Sequence, residues 1–173
     1  MYGRILVPVD GSATSNAGLR EAARLARDQK ASVRIVHVVD EFAVFSTPDG
    51  GLNAEVVIES LKQGGRRVLK RAERLAAASG VRAESSLLES LGGRVADVIA
   101  RQARRWRANL IVMGTHGRRG MNRWLLGSEA ELVARNSTVP VLLVHAPGRR
   151  KAPPRRRGKT RESKRQRAAG DGR

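Results

Sequence analysis

Two kinds of apolar pattern alternate along this chain. Ile5-Leu6-Val7-Pro8-Val9, Val33-Arg34-Ile35-Val36-His37-Val38-Val39, Leu110-Ile111-Val112-Met113 and Val141-Leu142-Leu143-Val144 are short, β-branched and nearly continuous. Strands covered on both faces read this way, as in a parallel sheet. Ala83-Glu84-Ser85-Ser86-Leu87-Leu88 is more polar and suits an edge strand. Between these runs the apolar spacing turns helical. Residues 15–29 put Leu19, Ala22, Ala23 and Ala26 on one face. Residues 54–78 do the same with Leu61, Val68, Leu69, Ala72 and Ala76 and stop at Gly80, and residues 93–106 with Val95, Val98, Ile99 and Trp106. A shorter helix is predicted from Ser128 to about Asn136.

The order β-α-β-α-β-α-β-α-β predicts an α/β domain with a parallel sheet, helices on both faces and right-handed crossovers. Residues 40–53, with Pro48, Gly50 and Gly51, read as a long connection and a mobile flap. After Pro147 the composition changes abruptly, to a stretch without Leu, Ile, Val or any aromatic residue. Such a segment cannot offset its ordering entropy by apolar burial. The expected organisation is one folded domain, residues 1–147, and a disordered Arg/Lys-rich tail, residues 148–173.

Charge sharpens that division. The net charge is +18, and residues 147–173 hold twelve Lys or Arg against two acids. The tail clusters Arg155-Arg156-Arg157-Gly158-Lys159 and Lys164-Arg165-Gln166-Arg167 are expected to bind nucleic acid or another polyanion by counterion release. A solubilising extension is the bland alternative. Within the domain the basic residues are Arg scattered along helix faces, which reads as solvated surface. The chain has no cysteine, which removes disulfides, thiolate metal sites and cysteine nucleophiles and fits a reducing compartment. No stretch approaches the ~20 apolar residues of a membrane span, and the first apolar run is too short for a signal peptide. A cytoplasmic protein is expected.

Ligands of such sheets bind outside the carboxyl ends of the strands, where strand order reverses. Two strand ends stand out: Pro8-Val9-Asp10-Gly11-Ser12, and Met113-Gly114-Thr115-His116-Gly117-Arg118-Arg119-Gly120. The second opens a Gly-x2-Gly-x9-Gly-Ser pattern that runs from Gly114 to Ser128. Glycines allow positive φ and close backbone approach, and the Ser128 helix start offers free N–H groups to phosphate. The Ser128 hydroxyl can donate to a phosphate oxygen or cap the helix. Asp10 can equally be a helix-capping turn residue or a ligand contact. A flexible loop that binds nothing is the bland reading of the glycines. His37, His116 and His145 lack metal-ligand spacing, so no metal site of protein ligands is expected. There is no Gly-x4-Gly-Lys-Ser/Thr loop, Gly-x-Ser-x-Gly elbow or Gly-x-Gly-x-x-Gly fingerprint. No residue presents itself as a catalytic base, so efficient phosphoryl transfer is not expected.

The Gly-x2-Gly-x9-Gly-Ser spacing resembles that of the ATP-binding universal stress proteins. The opening Ile5-Leu6-Val7-Pro8-Val9-Asp10-Gly11-Ser12 is similar to that family's first strand and turn. Val36-His37-Val38-Val39 is similar to its second strand, and Val139-Pro140-Val141-Leu142-Leu143-Val144 to its last. The likeness covers residues 1–146. It implies a five-stranded parallel sheet of order 3-2-1-4-5, a Rossmann-like arrangement, and a homodimer paired through the last strands. It also implies an ATP site, with Mg2+ carried by the nucleotide and reached by Asp10. Val38 would meet adenine through its backbone, Val9 would flank the base, and Pro8 would belong to the same ATP site. Met113, Gly114 and Gly117 would line the ribose and phosphates, and Gly127 and Ser128 would close on the phosphates. Glu129 departs from the small or apolar residue of many relatives. Its carboxylate would repel a terminal phosphate, and Arg118, Arg119 and Arg123 would offset it.

Overall fold

The computed structural model describes residues 1–45, 53–117 and 126–145. In chain order the elements are β1 (Arg4–Pro8), α1 (Ala13–Gln29), β2 (Ser32–Asp40), α2 (Phe42–Phe45) and α3 (Ala54–Ala78). They continue with β3 (Ala83–Ser90), α4 (Val95–Trp106), β4 (Leu110–Gly114), α5 (Ser128–Asn136) and β5 (Val141–Val144). The five strands form one all-parallel sheet of order β3-β2-β1-β4-β5.

The continuous apolar strands follow from cover on both faces. Ile5, Val7 and Val9 point into a core shared with Leu19, Ala22, Ala23 and Ala26 of α1 and Leu69, Ala72 and Ala76 of α3. The alternate positions Leu6, Val36, Ile111 and Met113 point the other way, onto Ala96, Ile99 and Ala103 of α4 and Ala130 and Val133 of α5. Ile5, Leu6, Ile35 and Ile111 are fully buried, each contributing about 1.5–3 kcal/mol by transfer from water. With few aromatics available, alanines on the helices let the backbones lie close to the branched strand residues.

Helix ends match their local chemistry. Ser12 caps α1, its Oγ accepting from Ser15 N at 3.1 Å. Lys30 closes α1 and Arg107 closes α4 in the left-handed conformation, each with φ 54°. Gly80 takes φ 76° after α3, a value suited to glycine.

The connection over residues 40–53 differs from expectation. Asp40 completes β2, and Phe42–Phe45 forms one helical turn. Val44 N donates to Glu41 O at 3.1 Å and Glu41 N to Ser90 O, so the start of this segment is tied to β3. The flap reading of residues 46–52 lies outside the described residues. So do the domain boundary at 147 and the tail 148–173.

Candidate functional site

Strand order reverses between β1 and β4, which are direct neighbours with Leu6 opposite Ile111. The loops after these strands therefore share one crevice, as the motif spacing requires. At the end of β1, Pro8 and Val9 are buried and Asp10 is half-buried. Val9 N donates to Val36 O at 2.8 Å, and Val9 O lies 2.6 Å from His37 Nδ1. Since the carbonyl can only accept, that ring nitrogen carries the proton. His37 in turn sits beneath Gly65 of α3, where a Cβ would come within 2.6 Å of its Cδ2. A histidine read from sequence as a packed strand residue is thus also the partner of a backbone carbonyl in the crevice.

The capping role open to Asp10 belongs to Ser12. Asp10 Oδ1 instead accepts from Ser12 N at 3.0 Å, closing a short turn, with Gly11 at φ 82°. The positive φ expected of the motif glycines is found here, at Gly11, and at none of Gly114, Gly117 or Gly127. Their lack of a side chain has other reasons. A Cβ on Gly114 would stand 2.6 Å from Thr14 C and 2.7 Å from Ser15 N, so glycine lets the end of β4 touch the first turn of α1. A Cβ on Gly18 would likewise stand 3.2 Å from Gly114 N, so Gly18 supplies the reciprocal gap. A Cβ on Gly127 would meet Thr115 O at 3.0 Å, and Gly127 N donates to that same oxygen at 2.8 Å. Gly117 faces the carboxylate: its Cβ would stand 2.9 Å from Asp10 Oδ2.

Further contacts hold the two loops together. Thr14 Oγ1 donates to His116 O across the crevice. Thr115, 2 % exposed, places its hydroxyl 2.8 Å from His145 Nδ1 and 3.0 Å from His116 Nδ1. Thr115 N donates to Val144 O at 3.0 Å. Thr14, Thr115 and His145 were not among the residues expected from sequence. A glycine in mid-helix at position 18 was the available signal, because such a glycine needs a packing reason.

Of the expected residues, Pro8, Val9, Asp10, Gly114, Gly117 and Gly127 are drawn together by these contacts. Val38 stands at the carboxyl end of β2, half-buried and opposite Leu88. The Val9 and Met113 side chains point into opposite cores, 5 % and 7 % exposed, so each offers the crevice mainly backbone. Ser128 and Glu129 are exposed in the first turn of α5. The cap residue of that helix is Gly127 and no side chain caps it, so Ser128 does not take the capping role. Its opening N–H groups remain a site for an anion. Arg118, Arg119 and Arg123 lie outside the described residues. Among the described residues no group of three or more His, Asp or Glu could hold a metal ion. An open cavity of about 390 Å³ lies elsewhere, at the end of β3, between Glu89, Ser90, Arg94 and Arg101.

A model of the Universal stress protein family matches residues 1–145. A universal stress protein of Methanocaldococcus jannaschii is 37% identical over 147 residues, 85% of this chain and 84% of that protein. A crystal structure from this family in Burkholderia pseudomallei has 36% identity and a TM-score of 0.67, over 83% of this chain and 96% of that one. A universal stress protein of Archaeoglobus fulgidus in complex with dAMP has 28% identity and a TM-score of 0.61, over 83% and 98% of the two chains. Also among the described residues, no helix is long and apolar enough to cross a membrane. Sequence and overall fold agree with these relatives, and the chain belongs to the universal stress protein family.

Proposed function

We propose that this protein binds an adenine nucleotide, ATP, in the crevice between the carboxyl ends of β1 and β4, and acts as a stress-response or signalling module. The observation that carries the reading is the position of Gly117 against Asp10. A side chain at 117 would fill the space beside Oδ2, within 2.9 Å of it. Glycine there puts no side chain of its own beside Oδ2, where a ribose hydroxyl or a cation travelling with phosphates would sit. The free N–H groups at the start of α5 supply an anion subsite one loop away. The dAMP complex of the Archaeoglobus relative supports an adenine nucleotide. The full Gly-x2-Gly-x9-Gly-Ser spacing favours ATP.

In this site Asp10 and the Gly114–Gly117 backbone would hold the ribose and phosphates, and Val38 and Val9 the base. Mg2+, arriving with ATP, would neutralise phosphate charge next to Asp10. Asp10 already accepts from Ser12 N, which suits it to orient a ligand better than to take a proton. The output is therefore a nucleotide-dependent change of partner or shape, with hydrolysis slow at most. The module works as a cytoplasmic homodimer. Val141–Val144 is an apolar strand at the sheet edge, all four residues half-buried, and an uncovered edge of this kind favours pairing with a second copy.

Mass spectrometry of small molecules released from gently purified protein tests the reading. An adenine nucleotide at near-stoichiometric amount is expected. Protein that carries none, and binds none when ATP is added, would remove it.

A further inference from the structure

In this parallel sheet every long helix runs antiparallel to the strands, so helix carboxyl ends and strand amino ends share one pole, opposite the nucleotide crevice. Among the described residues the charges are divided unevenly between the poles, with Arg94 an exception at the crevice pole. At the crevice pole are carboxylates such as Asp10, Asp40, Glu55, Glu89 and Glu129. At the other pole, exposed cations come from separate elements. Arg27 and Lys30 end α1, and Arg4 opens β1. Arg82 leads into β3, and Arg104, Arg105 and Arg107 end α4. Among the described residues none of these seven has an ion-pair partner. Of the carboxylates nearby, Asp28 is paired with Arg24 and Glu84 with Arg34, while Glu73, which accepts from the Ser85 hydroxyl, keeps its charge. Cations at helix carboxyl ends complement the macrodipoles, but four helices supply only about −2 in partial charge. Seven cations exceed that, and the surplus is a field directed at a partner.

We propose that this amino-terminal pole of the sheet docks on the phosphate backbone of duplex nucleic acid. Six of the seven cations are arginine, whose planar fork matches phosphate oxygens in pairs. Trp106 sets the mode of reading. Arg34 lies 4.8 Å over its ring and Arg4 6.0 Å from it, and Arg4 donates to Trp106 O at 3.1 Å. The ring is thereby covered by guanidinium and not offered to an unpaired base, which argues against single-strand stacking. An anionic membrane fits less well, because membrane-surface sites combine cations with apolar anchors. Met1 apart, the exposed large apolar residues, Phe42, Phe45, Val56, Val57, Leu61, Leu91 and Leu126, belong to segments at or next to the crevice pole. Binding at this pole is sequence-independent.

The test uses the full chain, with duplexes of two unrelated sequences titrated over a range of salt. The variant Arg27→Gln/Arg82→Gln/Arg104→Gln/Arg105→Gln is expected to bind both duplexes more weakly, by similar factors. Its plot of log affinity against log salt should be shallower by about 3 to 4, roughly 0.9 for each phosphate no longer neutralised. Neutralising four cations on the outer face of α3, Arg66, Arg67, Lys70 and Arg71, should leave that slope nearly unchanged. If the fourfold variant unfolds, Arg104→Gln/Arg105→Gln alone should lower the slope by about 2. A wild-type slope in the pole variants, or an equal loss in the α3 variant, would overturn the proposal. So would binding to anionic phospholipid vesicles without binding to duplex.

Discussion

Gly117 and Asp10 stand on adjacent loops, so close that a β-carbon on the first would lie 2.9 Å from Oδ2 of the second. Real side chains do not tolerate that approach, so residue 117 stays glycine or the Asp10 carboxylate must shift. The same pair lies where strand order reverses, the position at which doubly wound sheets take their ligands.

Gly114 is expected to matter for stability before it matters for binding. Gly114→Ala drives a methyl against Thr14 C and Ser15 N, both backbone atoms unable to rotate away. Overpacking of this kind costs about 1–3 kcal/mol. Gly18→Ala meets the same junction at a looser 3.2 Å and regains up to ~1 kcal/mol of helix propensity. Urea denaturation should therefore rank Gly114→Ala clearly below Gly18→Ala. The reverse order would mean that the packing of β4 on α1 is misjudged.

A second expectation concerns the pole near α2. Glu41 is 3 % exposed, and its Oε1 has Lys62 Nζ at 3.1 Å but no partner in hydrogen-bond geometry. Lys62 also reaches Glu89 at 3.0 Å. Lys62→Met would strand a buried carboxylate, and a loss of stability is expected in chemical denaturation. Contact with Glu89 and then Glu41 raises the Lys62 pKa above its usual 10.5. The stability it contributes is therefore fully present below about pH 10.5 and fades as pH rises through the higher folded-state value. Wild type should lose stability above that pH more steeply than Lys62→Met. Parallel alkaline profiles would show that the contact contributes nothing.

Light scattering at micromolar concentration should report twice the chain mass, through pairing of β5 edges. Leu143 is the position to perturb: Val144 O accepts from Thr115 N on the β4 side, so the groups of its neighbour face outward. Leu143→Pro removes an outward donor and should raise the dimer dissociation constant tenfold or more. A wild-type monomer would contradict the dimer outright.

Much of this architecture was legible in the chain because it rests on patterns that depend on period and burial. The unbroken apolar runs at Ile5–Val9 and Leu110–Met113 mark strands covered on both faces, and Ala83–Leu88 marks the more polar edge. Features that depend on contacts distant in sequence were not legible. Phe42–Phe45 is too short for a helical period to declare itself, and its position comes from Glu41 pairing with Ser90. Asp10 and Ser12 are both good capping residues, and only the folded turn assigns the cap to Ser12. Gly114 also lies against the first turn of α1, a contact that its place in the glycine motif does not announce. The arginines read as scattered because parallel topology, not sequence proximity, gathers Arg4, Arg82 and Arg104 at one pole.

The most direct test of the nucleotide reading is calorimetric titration of ATP, with Mg2+, into wild type and Gly117→Val, with thermal melting as the check that both are folded. Wild type should bind with one site per chain. Gly117→Val should stay folded yet lose at least tenfold in affinity, because its branched side chain occupies the space beside Asp10 Oδ2. A folded Gly117→Val that binds ATP as tightly as wild type would contradict the assignment of this crevice.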